Sequence, residues 1–579
     1  MTTARSIGPS PRWIAPPADT DARAAALVSG ISGLPGPLAR VLAARGMTDS
    51  AVVRAFLRPS LDRLHDPLLL PDMEEAVGRL LAAVDAGETI LVHGDYDADG
   101  MCATALAVRG LRRLGARALP FVPHRTNDGY DLRPAGVAFA ASEGAAVILT
   151  VDCGVTALDA AAEARRRGID LVVTDHHRPG SALPEAVAVV DPLRNDAGYP
   201  FRGLSGVGVT FKLIEALFRR RGIPGPELNQ HLDLVAVGTV ADQMPLIDEN
   251  RALVRAGLRA LARTRKPGFR ALLRRARIDV RRPIAAEDIA FRLAPRLNSV
   301  GRMAAGGTGV ELLLTENPVR AEALAAHLDE LNATRRLADR EVTGNAERAL
   351  EGRFQPDADG AVVVWGDDWH RGVIGIVASR MVERWQRPAV VISFDGDVGE
   401  GSGRSVEGFH LHDALRDCAP LLESYGGHQM AAGLRIRRDR VEEFAERLRD
   451  LAADRLDAPC EPAALRIDLE LPLAELSPDL SSMLGHLAPH GLENPAPVLA
   501  VRGVTLERAT AVGTGASHLQ AILRDGEAGL RAIGFGLGGR ADDLRPGERF
   551  DAAFHLERDI WRGRERLQAR LLDLRPSAP

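Results

Sequence analysis

The chain has 579 residues, of which 46% are hydrophobic and 26% charged, a composition typical of a soluble protein with roughly three to five domains. Its net charge of −5 argues against a protein that coats duplex DNA through charge alone. No apolar run reaches the ~18 residues of a membrane helix, Met1–Trp13 lacks the apolar stretch of a secretory signal, and the four cysteines are too scattered for a disulfide framework. We therefore expect a cytoplasmic protein.

Residues 1–70 are rich in proline and alanine and are predicted to form an N-terminal appendage without an assigned role. Residues 71–262 change to short apolar runs that alternate with amphipathic segments. This pattern predicts buried strands at Thr89–Val92, Ala145–Val151 and Asp170–Thr174, with helices at Met101–Leu114 and Ala157–Arg167. The strand–helix–strand order favours an α/β fold with a parallel sheet and right-handed crossovers.

The region 263–353 has a helical pattern throughout, as in Val319–Leu350, and is predicted to be a long helical connector. It opens with the basic segment Arg263–Arg282, which contains nine basic residues and one acid, Asp279. This segment could track a phosphate backbone, or it could form a solvated arginine-rich helix, and the sequence leaves both interpretations open.

A second α/β domain is predicted over residues 354–457. A strand at Ala361–Trp365, a helix at Val373–Trp385 and a strand at Ala389–Phe394 follow one another there. Two glycine-rich segments come next, Gly399–Gly403 and Gly426–Gly433, and glycine at this density predicts turns.

The last region, 463–579, is predicted to be a small β domain because short alternating strands are separated by glycine or charged turns. The predicted strands are Val498–Val504, His518–Leu523, Leu530–Gly534, Phe550–Leu556 and Glu565–Leu572. Five strands of this length fit a β-barrel of the OB type, and a β-sandwich is the alternative.

Three carboxylates, those of Asp95, Asp97 and Asp99, follow the first predicted strand within the segment His93–Gly100. Ligands bind at the carboxyl ends of the strands in open α/β sheets. Three carboxylates this close repel one another unless a cation neutralises them, and their alternate spacing places them on one side of an extended turn. The segment therefore predicts a cation site, and the alternative is an acidic residue that only caps the following helix.

The next two predicted strands end in residues of the same kind. Asp152 follows the second strand, and His176 and His177 follow the third. Asp242 ends an apolar helical segment and could complete the set, whereas Cys153 is predicted to be a small buried residue. Carboxylate oxygens mixed with imidazole suit Mn²⁺ or Mg²⁺ better than a structural zinc site.

These elements, in this order and spacing, resemble the DHH phosphoesterase superfamily, and within it a family of 5′→3′ exonucleases specific for single-stranded DNA. The resemblance rests on the segments GDYDADG, VDCG and TDHH and extends over about residues 70–575 through further motifs: Leu204–Gly208, Gly238–Asp242, Pro295–Arg302, Trp369–Arg380, Gly401–Arg404 and Gly426–His428. It implies a DHH catalytic domain, a helical connector, a DHH-associated domain and an OB-fold-like nucleic-acid-binding domain over the four regions described above.

The resemblance also implies a site with two Mn²⁺ or Mg²⁺ ions, whose ligands would be Asp97, Asp99, Asp152, His176 and Asp242, with Asp152 bridging. Asp95 and His177 would be catalytic, and His93 would lie near the first ion. His177 would face the scissile phosphate either as a ligand or as a hydrogen-bond donor. Two divalent ions ~3.5–4 Å apart can lower the pKa of a bridging water and neutralise charge on the phosphodiester.

The residues implied to contact the 5′-terminal nucleotide or its phosphate are Arg125, Arg302, Ser402, Arg404 and His428. Arginine forks and glycine-rich backbone amides suit a terminal phosphate, although Arg302 and Arg404 could instead form structural ion pairs. The β domain is expected to hold the strand further along, with Trp561 and Phe535 as stacking candidates that fit core positions better.

The implied function is a metal-dependent 5′→3′ exonuclease that releases 5′-mononucleotides from single-stranded DNA in DNA repair and recombination. The expected partners are single-stranded DNA with a 5′ end, a RecQ-type helicase and a single-strand-binding protein, with a monomer as the default state and no membrane. A phosphodiesterase for short oligonucleotides or cyclic dinucleotides is the first alternative, and the length of the chain disfavours it. A scaffold that has lost catalysis is the second, disfavoured because every candidate carboxylate is present.

Overall fold

The computed structural model describes residues 11–124, 129, 131–303, 306–356, 358–456, 464–545, 547–561 and 564–577. The chain divides into two compact units. The first unit comprises Arg54–Arg335 and Leu487–Ala496, and the second comprises Met1–Val53, Arg336–His486 and Pro497–Pro579. No helix in the described part of the chain has the length and apolarity needed to cross a bilayer.

The N-terminal segment contains one short strand and three helices: β1 (Arg12–Ile14), α1 (Thr20–Gly30), α2 (Gly36–Ala44) and α3 (Ser50–Leu57). The elements that follow form the predicted α/β domain. Its strands are β2 (Thr89–Gly94), β3 (Arg117–Phe121), β4 (Ala145–Val151), β5 (Asp170–Thr174) and β6 (Ala188–Val190). Its helices are α4 (Met73–Ala86), α5 (Ala98–Arg113), α6 (Pro134–Ser142), α7 (Leu158–Arg166), α8 (Gly206–Arg220), α9 (Gly225–Asn229), α10 (Leu232–Ala241) and α11 (Asp248–Ala262).

The five strands form a parallel sheet in the order β3–β2–β4–β5–β6. The sequence predicted the parallel sheet, and the structure supplies the strand order. Helices cover both faces, so the central strands are buried on both sides and carry continuous apolar runs. Because β2, β4 and β5 are neighbours, their carboxyl ends meet at one edge of the sheet. That edge is where the acidic and histidine segments lie.

The connector is helical, as predicted, and consists of α12 (Pro267–Arg275), α13 (Ala286–Asp288), α14 (Ala294–Met303), α15 (Gly307–Leu314) and α16 (Pro318–Leu350). Five of the basic side chains in Arg263–Arg282 form ion pairs with acids. Lys266 pairs with buried Asp233, Arg274 and Arg275 pair with Glu322, and Arg281 and Arg282 pair with Asp279. Part of the segment's charge is therefore neutralised within the first unit.

The second α/β domain has a five-stranded mixed sheet in the order β10–β11–β9–β8–β7. Its strands are β7 (Val362–Asp367), β8 (Ala389–Asp395), β9 (Val398–Arg404), β10 (Leu422–Gly427) and β11 (Ala431–Arg437). Its helices are α17 (Arg371–Trp385), α18 (Leu411–Asp417) and α19 (Val441–Arg455).

The prediction of a turn was wrong for Gly399–Gly403, which lies within β9, and right in part for Gly426–Gly433, where residues 428–430 connect β10 to β11 and the flanking residues belong to the two strands. The glycines at 399, 401 and 403 share one face of β9. A Cβ atom at Gly401 would lie 2.8 Å from Leu434 Cδ1, and one at Gly403 would lie 2.8 Å from Leu411 Cδ2. The glycines provide space for large side chains of neighbouring elements, which local composition does not reveal.

The C-terminal domain contains β12 (Ala464–Arg466), β13 (Leu469–Glu470), α20 (Pro478–Leu484), β14 (Leu499–Val512), β15 (His518–Asp525), β16 (Ala528–Gly534), β17 (Arg549–Trp561) and β18 (Arg564–Pro576). The sheet order is β13–β14–β15–β16–β18–β17, and β14 also pairs with β17. This last pairing closes the sheet into a barrel. The OB-type prediction is therefore confirmed, and the sandwich alternative is excluded.

The N-terminal segment packs on this barrel. β1 pairs in parallel with β12, and the Trp13 indole nitrogen donates to Asp573 Oδ2 at 2.8 Å. The Arg45 guanidinium donates to both oxygens of Asp468 at 2.8 Å, a bidentate and mostly buried ion pair. Trp13 also packs against the apolar cluster of Ile467, Val498, Ala500 and Ala553, so the segment covers apolar surface of the C-terminal domain.

Candidate functional site

Asp97 begins α5 and is the helix N-cap. Its Oδ1 accepts hydrogen bonds from the backbone amides of Asp99 at 2.8 Å and Gly100 at 3.0 Å. A Cβ atom at Gly100 would lie 2.6 Å from the Asp95 carbonyl oxygen, so only glycine allows the loop to curl this tightly. Asp97 caps the helix and also belongs to the acidic cluster, so the capping alternative does not exclude the cation site.

Asp152 directly follows β4 and is 2% exposed. Its backbone has φ 64°, in the left-handed region that aspartate tolerates better than most residues. Its Oδ1 lies 3.0 Å from His176 Nε2, and neither atom has a hydrogen-bond partner among the described residues. Two buried polar atoms are thus left facing each other, an arrangement that a shared cation would satisfy.

Asp175 orients the two histidines that follow it. Its Oδ1 accepts from the backbone amide of His176 at 2.7 Å and contacts His177 Nδ1 at 2.8 Å, while its Oδ2 accepts from the amide of Val155 at 2.9 Å. The carboxylate is 1% exposed. A buried acid that holds an imidazole in this way fixes the orientation of the ring.

Asp99 lies on the N-terminus of α8. Its two oxygens accept from the amides of Gly206 at 2.8 Å and Val207 at 3.1 Å, where the helix dipole favours negative charge. A Cβ atom at Gly206 would lie 2.2 Å from Asp152 Oδ1, and one at Gly238 would lie 2.4 Å from Asp99 Oδ1. The absence of a side chain at Gly206 and Gly238 therefore leaves the space that these two carboxylates occupy.

The structure brings all seven predicted residues of the acidic site together. Three sets of three side chains each have ligand atoms within 4.8 Å of one another: Asp95, Asp97 and Asp152; Asp99, His176 and Asp242; Asp152, His176 and His177. Asp152 and His176 belong to two sets each. Asp242 follows α10, as predicted, and its Oδ2 lies 3.6 Å from His176 Nε2.

The carboxylates of this cluster are strained electrostatically. Burial, followed by the charges of neighbouring acids, raises the pKa of Asp99 and of Asp152 well above the usual range. Burial and the charge of Asp97 raise the pKa of Asp242 to about 7. A divalent cation would remove the repulsion that causes part of these shifts.

The two histidines have opposite shifts. Burial, aided by the charge of His177, lowers the pKa of His176 to about 4, so its imidazole is neutral and can bind a metal. Burial also opposes charge on His177, but the hydrogen bond and the charge of Asp175 outweigh it and raise the pKa of His177 to about 9. Carboxylate oxygens with one neutral imidazole form a donor set that fits Mn²⁺ or Mg²⁺.

His93 and Cys153 lie behind the cluster. His93 is 1% exposed, and its Nδ1 lies 3.6 Å from the Cys153 sulfur. Cys153 is 1% exposed, as predicted for a small buried residue, and burial together with nearby acids raises the pKa of its thiol well above the usual range.

Comparison with known proteins identifies the family. The model of the DHH family N-terminal domain matches residues 89–239, the DHHA1 domain model matches 358–454, and the RecJ OB domain model matches 467–573. The single-stranded-DNA-specific exonuclease RecJ of Dickeya dadantii is 40% identical over 508 residues, which cover 85% of this chain and 87% of that protein. RecJ of Bacillus subtilis is 34% identical over 538 residues, with 93% and 67% covered. The chain belongs to the RecJ family of single-stranded-DNA-specific exonucleases.

A solved structure shows the same fold. The crystal structure of RecJ from Thermus thermophilus in complex with Mn²⁺ aligns with a TM-score of 0.83 at 32% identity, over 98% of this chain and 80% of that one. The sequence-based recognition and the predicted fold class are both confirmed.

Arg302 ends the RecJ-like motif Pro295–Arg302, whose helix α14 packs against the acidic loop. Asn298 Oδ1 accepts from the backbone amide of Ala98 at 2.7 Å. A Cβ atom at Gly301 would lie 2.3 Å from the Tyr96 carbonyl oxygen. The motif thus supports the loop that carries the carboxylates, and Arg302, half-buried, extends from the same helix.

Three other predicted substrate contacts lie at one end of the sheet of the second α/β domain. Ser402 and Arg404 share a face of β9, and Arg404 Nη1 donates to Ser402 Oγ at 3.2 Å. Arg404 pairs in register with Ala431, whose carbonyl accepts from the His428 amide at 2.8 Å. The structure therefore places Ser402 and Arg404 in contact and the His428 backbone beside the strand residue that pairs with Arg404, and the His428 side chain is exposed.

Two of the remaining predictions cannot be compared with the structure, because Arg125 and the side chain of Trp561 lie outside the described residues. The core position expected for Phe535 was wrong. Phe535 is 61% exposed and contacts the His518 ring edge-on, with centroids 5.2 Å apart. The reason is that Phe535 directly follows β16, outside the alternation that fills the barrel.

Sequence reasoning missed Asp175, Asn298 and Gly206 as parts of the site. An Asp directly before two histidines at a strand end was a usable signal for Asp175. Asn298 and Gly206 lie on helices far along the chain, and only the packing of α14 and α8 against the sheet edge brings them to the cluster.

Proposed function

We propose that this chain is a metal-dependent exonuclease that degrades single-stranded DNA from the 5′ end and releases 5′-mononucleotides, with two Mn²⁺ or Mg²⁺ ions. The observation that carries the proposal is the convergence of four buried or half-buried carboxylates and His176 from the ends of β2, β4, β5 and α10. The names of the RecJ relatives, single-stranded-DNA-specific exonucleases, and the Mn²⁺ in the solved Thermus structure support it.

We assign Asp97, Asp99, Asp152, His176 and Asp242 as metal ligands. Asp152 and His176 each belong to two of the three sets, and Asp152 would be the shared ligand because its carboxylate has two oxygens to offer, whereas an imidazole nitrogen binds one ion. The ions would activate water and neutralise the phosphodiester oxygens. Asp95 completes the acidic loop. His177, oriented by Asp175, faces the scissile phosphate and donates a hydrogen bond to it.

We assign recognition of the 5′ end to Arg125, Arg302, Ser402, Arg404 and His428. The Arg404 guanidinium beside the Ser402 hydroxyl, with the exposed His428 side chain on the neighbouring hairpin, offers donors that match the acceptor oxygens of a terminal phosphate. Exchange of Arg404 for Gln would raise the KM for 5′-phosphorylated strands more than that for 5′-hydroxyl strands. An equal change for both substrates would contradict this assignment.

We infer that the barrel holds the strand further along. Arg508, Arg531 and Arg566 line a cavity of about 320 Å³ on strands β14, β16 and β18, together with one acid, Asp559, so the lining carries a net positive charge. Exposed Phe535 adds an aromatic face for stacking. R531Q is expected to raise the KM on long strands and to leave the KM on short oligonucleotides unchanged, with R466Q, an exposed arginine of β12, as the control.

The decisive experiment uses Mn²⁺ and single strands labelled at one end or the other. The proposal predicts that 5′-labelled strands release labelled mononucleotide at the earliest times. Strands labelled at the 3′ end should shorten while they keep their label, and release it last. Cleavage of cyclic dinucleotides or very short oligonucleotides alone would favour the phosphodiesterase alternative. Absence of any cleavage with intact DNA binding would favour a scaffold.

We further propose a role in DNA repair and recombination, in the cytoplasm, with a helicase of the RecQ type and a single-strand-binding protein as partners. A nuclease that accepts one strand depends on another activity to separate the duplex. A monomer is the proposed state. Faster degradation of a duplex when such a helicase is present would support the partnership.

A further inference from the structure

A second polar cavity lies in the first unit, at the opposite end of α5 from the acidic loop. Its volume is about 410 Å³, and its lining includes three arginines of α5 (Arg109, Arg112 and Arg113) and His231, with Phe218 on one wall. None of these residues belongs to the metal cluster.

Two buried polar atoms of this cavity have no hydrogen-bond partner among the described residues: His231 Nδ1 and Arg109 Nε. His231 is only 7% exposed. Buried nitrogen atoms without partners are rare in folded proteins, because each forfeits its hydrogen bond to water. Both residues line the cavity. An acceptor oxygen bound beside them would satisfy Arg109 Nε, and it would satisfy His231 Nδ1 in the tautomer that carries its proton on that nitrogen.

The charges of the cavity favour an anion. Arg113 forms a fork with Glu227, and Arg109 pairs with Glu316, whose side chain is 72% exposed. Arg112 bonds the Ala118 carbonyl and has no ion pair within the described residues. Three guanidinium groups against two carboxylates leave a net positive charge, and Glu316 can move into solvent when a stronger anion arrives.

His231 contributes a neutral group to this site. Burial, followed by the charges of Lys266 and Arg109, lowers the pKa of His231 to about 3, so the ring is uncharged at neutral pH. His231 is also the residue before α10, a helix of ten residues whose N-terminus adds positive potential. The carboxylate of Asp233 in the first turn of this helix is neutralised by its ion pair with Lys266. An uncharged imidazole, a helix N-terminus and arginine donors together match the oxygens of a phosphate group.

The cavity is separate from the metal centre. α5 carries Asp97 and Asp99 at its start and the three arginines in its last turns, about 20 Å away along the helix axis. α10 runs the other way, from His231 to Asp242. The same two helices, α5 and α10, therefore connect the cavity at one end to carboxylates of the metal cluster at the other.

We propose that this cavity binds a terminal phosphate group, either free or on a small molecule such as a nucleoside monophosphate. The three arginines and the unpartnered His231 nitrogen would contact its oxygens. This proposal does not depend on the exonuclease function.

The test is calorimetric titration of the full chain with inorganic phosphate and, separately, with 5′-dAMP, in excess EDTA so that no metal-bound phosphate contributes. Saturable binding is expected, and R112Q should weaken it at least tenfold, or about 1.4 kcal/mol. R117Q, which removes an exposed arginine just outside the lining, should bind as the unmodified protein does. Tighter binding of 5′-dAMP identifies a nucleotide site, and equal affinities identify a site for phosphate alone.

Thermal melting of each variant checks the fold, and H231Q provides a second lining variant that keeps the charge of the cavity. The proposal is overturned if neither probe binds saturably. It is equally overturned if R112Q and H231Q, both folded, bind the probes as tightly as R117Q does. The probe would then be an adventitious ion only, bound elsewhere on the chain.

Discussion

Asp152 is the residue on which the site depends most directly. It is buried, it occupies the left-handed backbone region, and its Oδ1 faces His176 Nε2 without a hydrogen bond. Sparse backbone conformations persist only where the surroundings hold them, and they concentrate at functional sites. The sequence indicated Asp152 from its place after a strand, but its strained backbone is visible only in the structure.

We predict that D152N lowers exonuclease turnover on the order of 1000-fold, because loss of a metal ligand removes several kcal/mol of transition-state stabilisation. Asparagine tolerates the left-handed backbone, so the fold should persist. The measurement is nucleotide release from a labelled single strand. D159N, at an exposed position of α7, is the control and should retain full activity. Activity of D152N within tenfold of the unmodified enzyme would contradict the bridging role.

The metal-free D152N protein should also be at least as stable as the unmodified one at neutral pH. The folded-state pKa of Asp152 is raised, so its ionisation destabilises the fold as pH increases through the unfolded pKa, and asparagine avoids that cost. Thermal melting in EDTA at pH 8 measures this difference, and a lower melting temperature for D152N would contradict the electrostatic account.

At the scale of elements, the N-terminus of α8 determines the geometry of the cluster. Its first residue, Gly206, lies under Asp152, and its amides bind Asp99. The motif Leu204–Gly208 stood out in the sequence without a chemical role, because glycine has no side chain to suggest one. The packing of α8 against the sheet edge supplies the reason.

We predict that G206A lowers turnover about 100-fold, because the added Cβ atom would displace the Asp152 carboxylate, and a shift of about 1 Å can cost that much. G225A is the matched control: Gly225 is the first residue of α9, and a Cβ atom there meets nothing within 4 Å. Steady-state turnover of both variants at saturating Mn²⁺ gives the comparison. Equal turnover of the two variants would contradict this prediction, because Asp152 would then accommodate the added Cβ atom without losing its functional position.

The glycine-rich strand β9 was predicted as a turn, and that prediction was wrong for a physical reason. Alternate glycines normally weaken a strand, but here they admit Leu434 and Leu411 from neighbouring elements. The secondary-structure propensity of a short segment does not reflect its packing against side chains from distant parts of the sequence.

We therefore predict that G401A destabilises the second α/β domain by about 1–3 kcal/mol, the usual cost of overpacking a core. G433A on the adjacent strand β11 is the control, since its Cβ atom would meet only the Gly401 carbonyl, at 3.8 Å. Urea unfolding, monitored by tryptophan fluorescence, measures the stability of both variants. A midpoint for G401A equal to that of G433A would contradict the packing argument.

At the scale of the whole molecule, metal binding is expected to couple to stability. A cluster whose carboxylates repel one another destabilises the folded first unit until a cation neutralises them. The folded cluster binds the ion and the unfolded chain does not hold these ligands together, so binding adds to the free energy of unfolding.

We predict that Mn²⁺ at about 100 times its dissociation constant stabilises the first unit by about 2.7 kcal/mol, with the melting temperature raised and the effect reversed by EDTA. Differential scanning calorimetry with and without Mn²⁺ measures the shift. D152N should show a much smaller shift. The same rise in both proteins would mean that Mn²⁺ binds elsewhere.

The sequence by itself determined the parallel sheet, the barrel strands and the residues of the acidic cluster, because apolar periodicity and strand-end motifs are local signals. It also sufficed for the resemblance to the exonuclease family, which the comparisons confirm. The N-terminal segment on the barrel, the exposed Phe535, the strands rich in glycine and the supporting role of Asp175 were decided by tertiary structure alone. Each depends on which distant elements pack together, and that is settled by burial and steric fit over the whole chain.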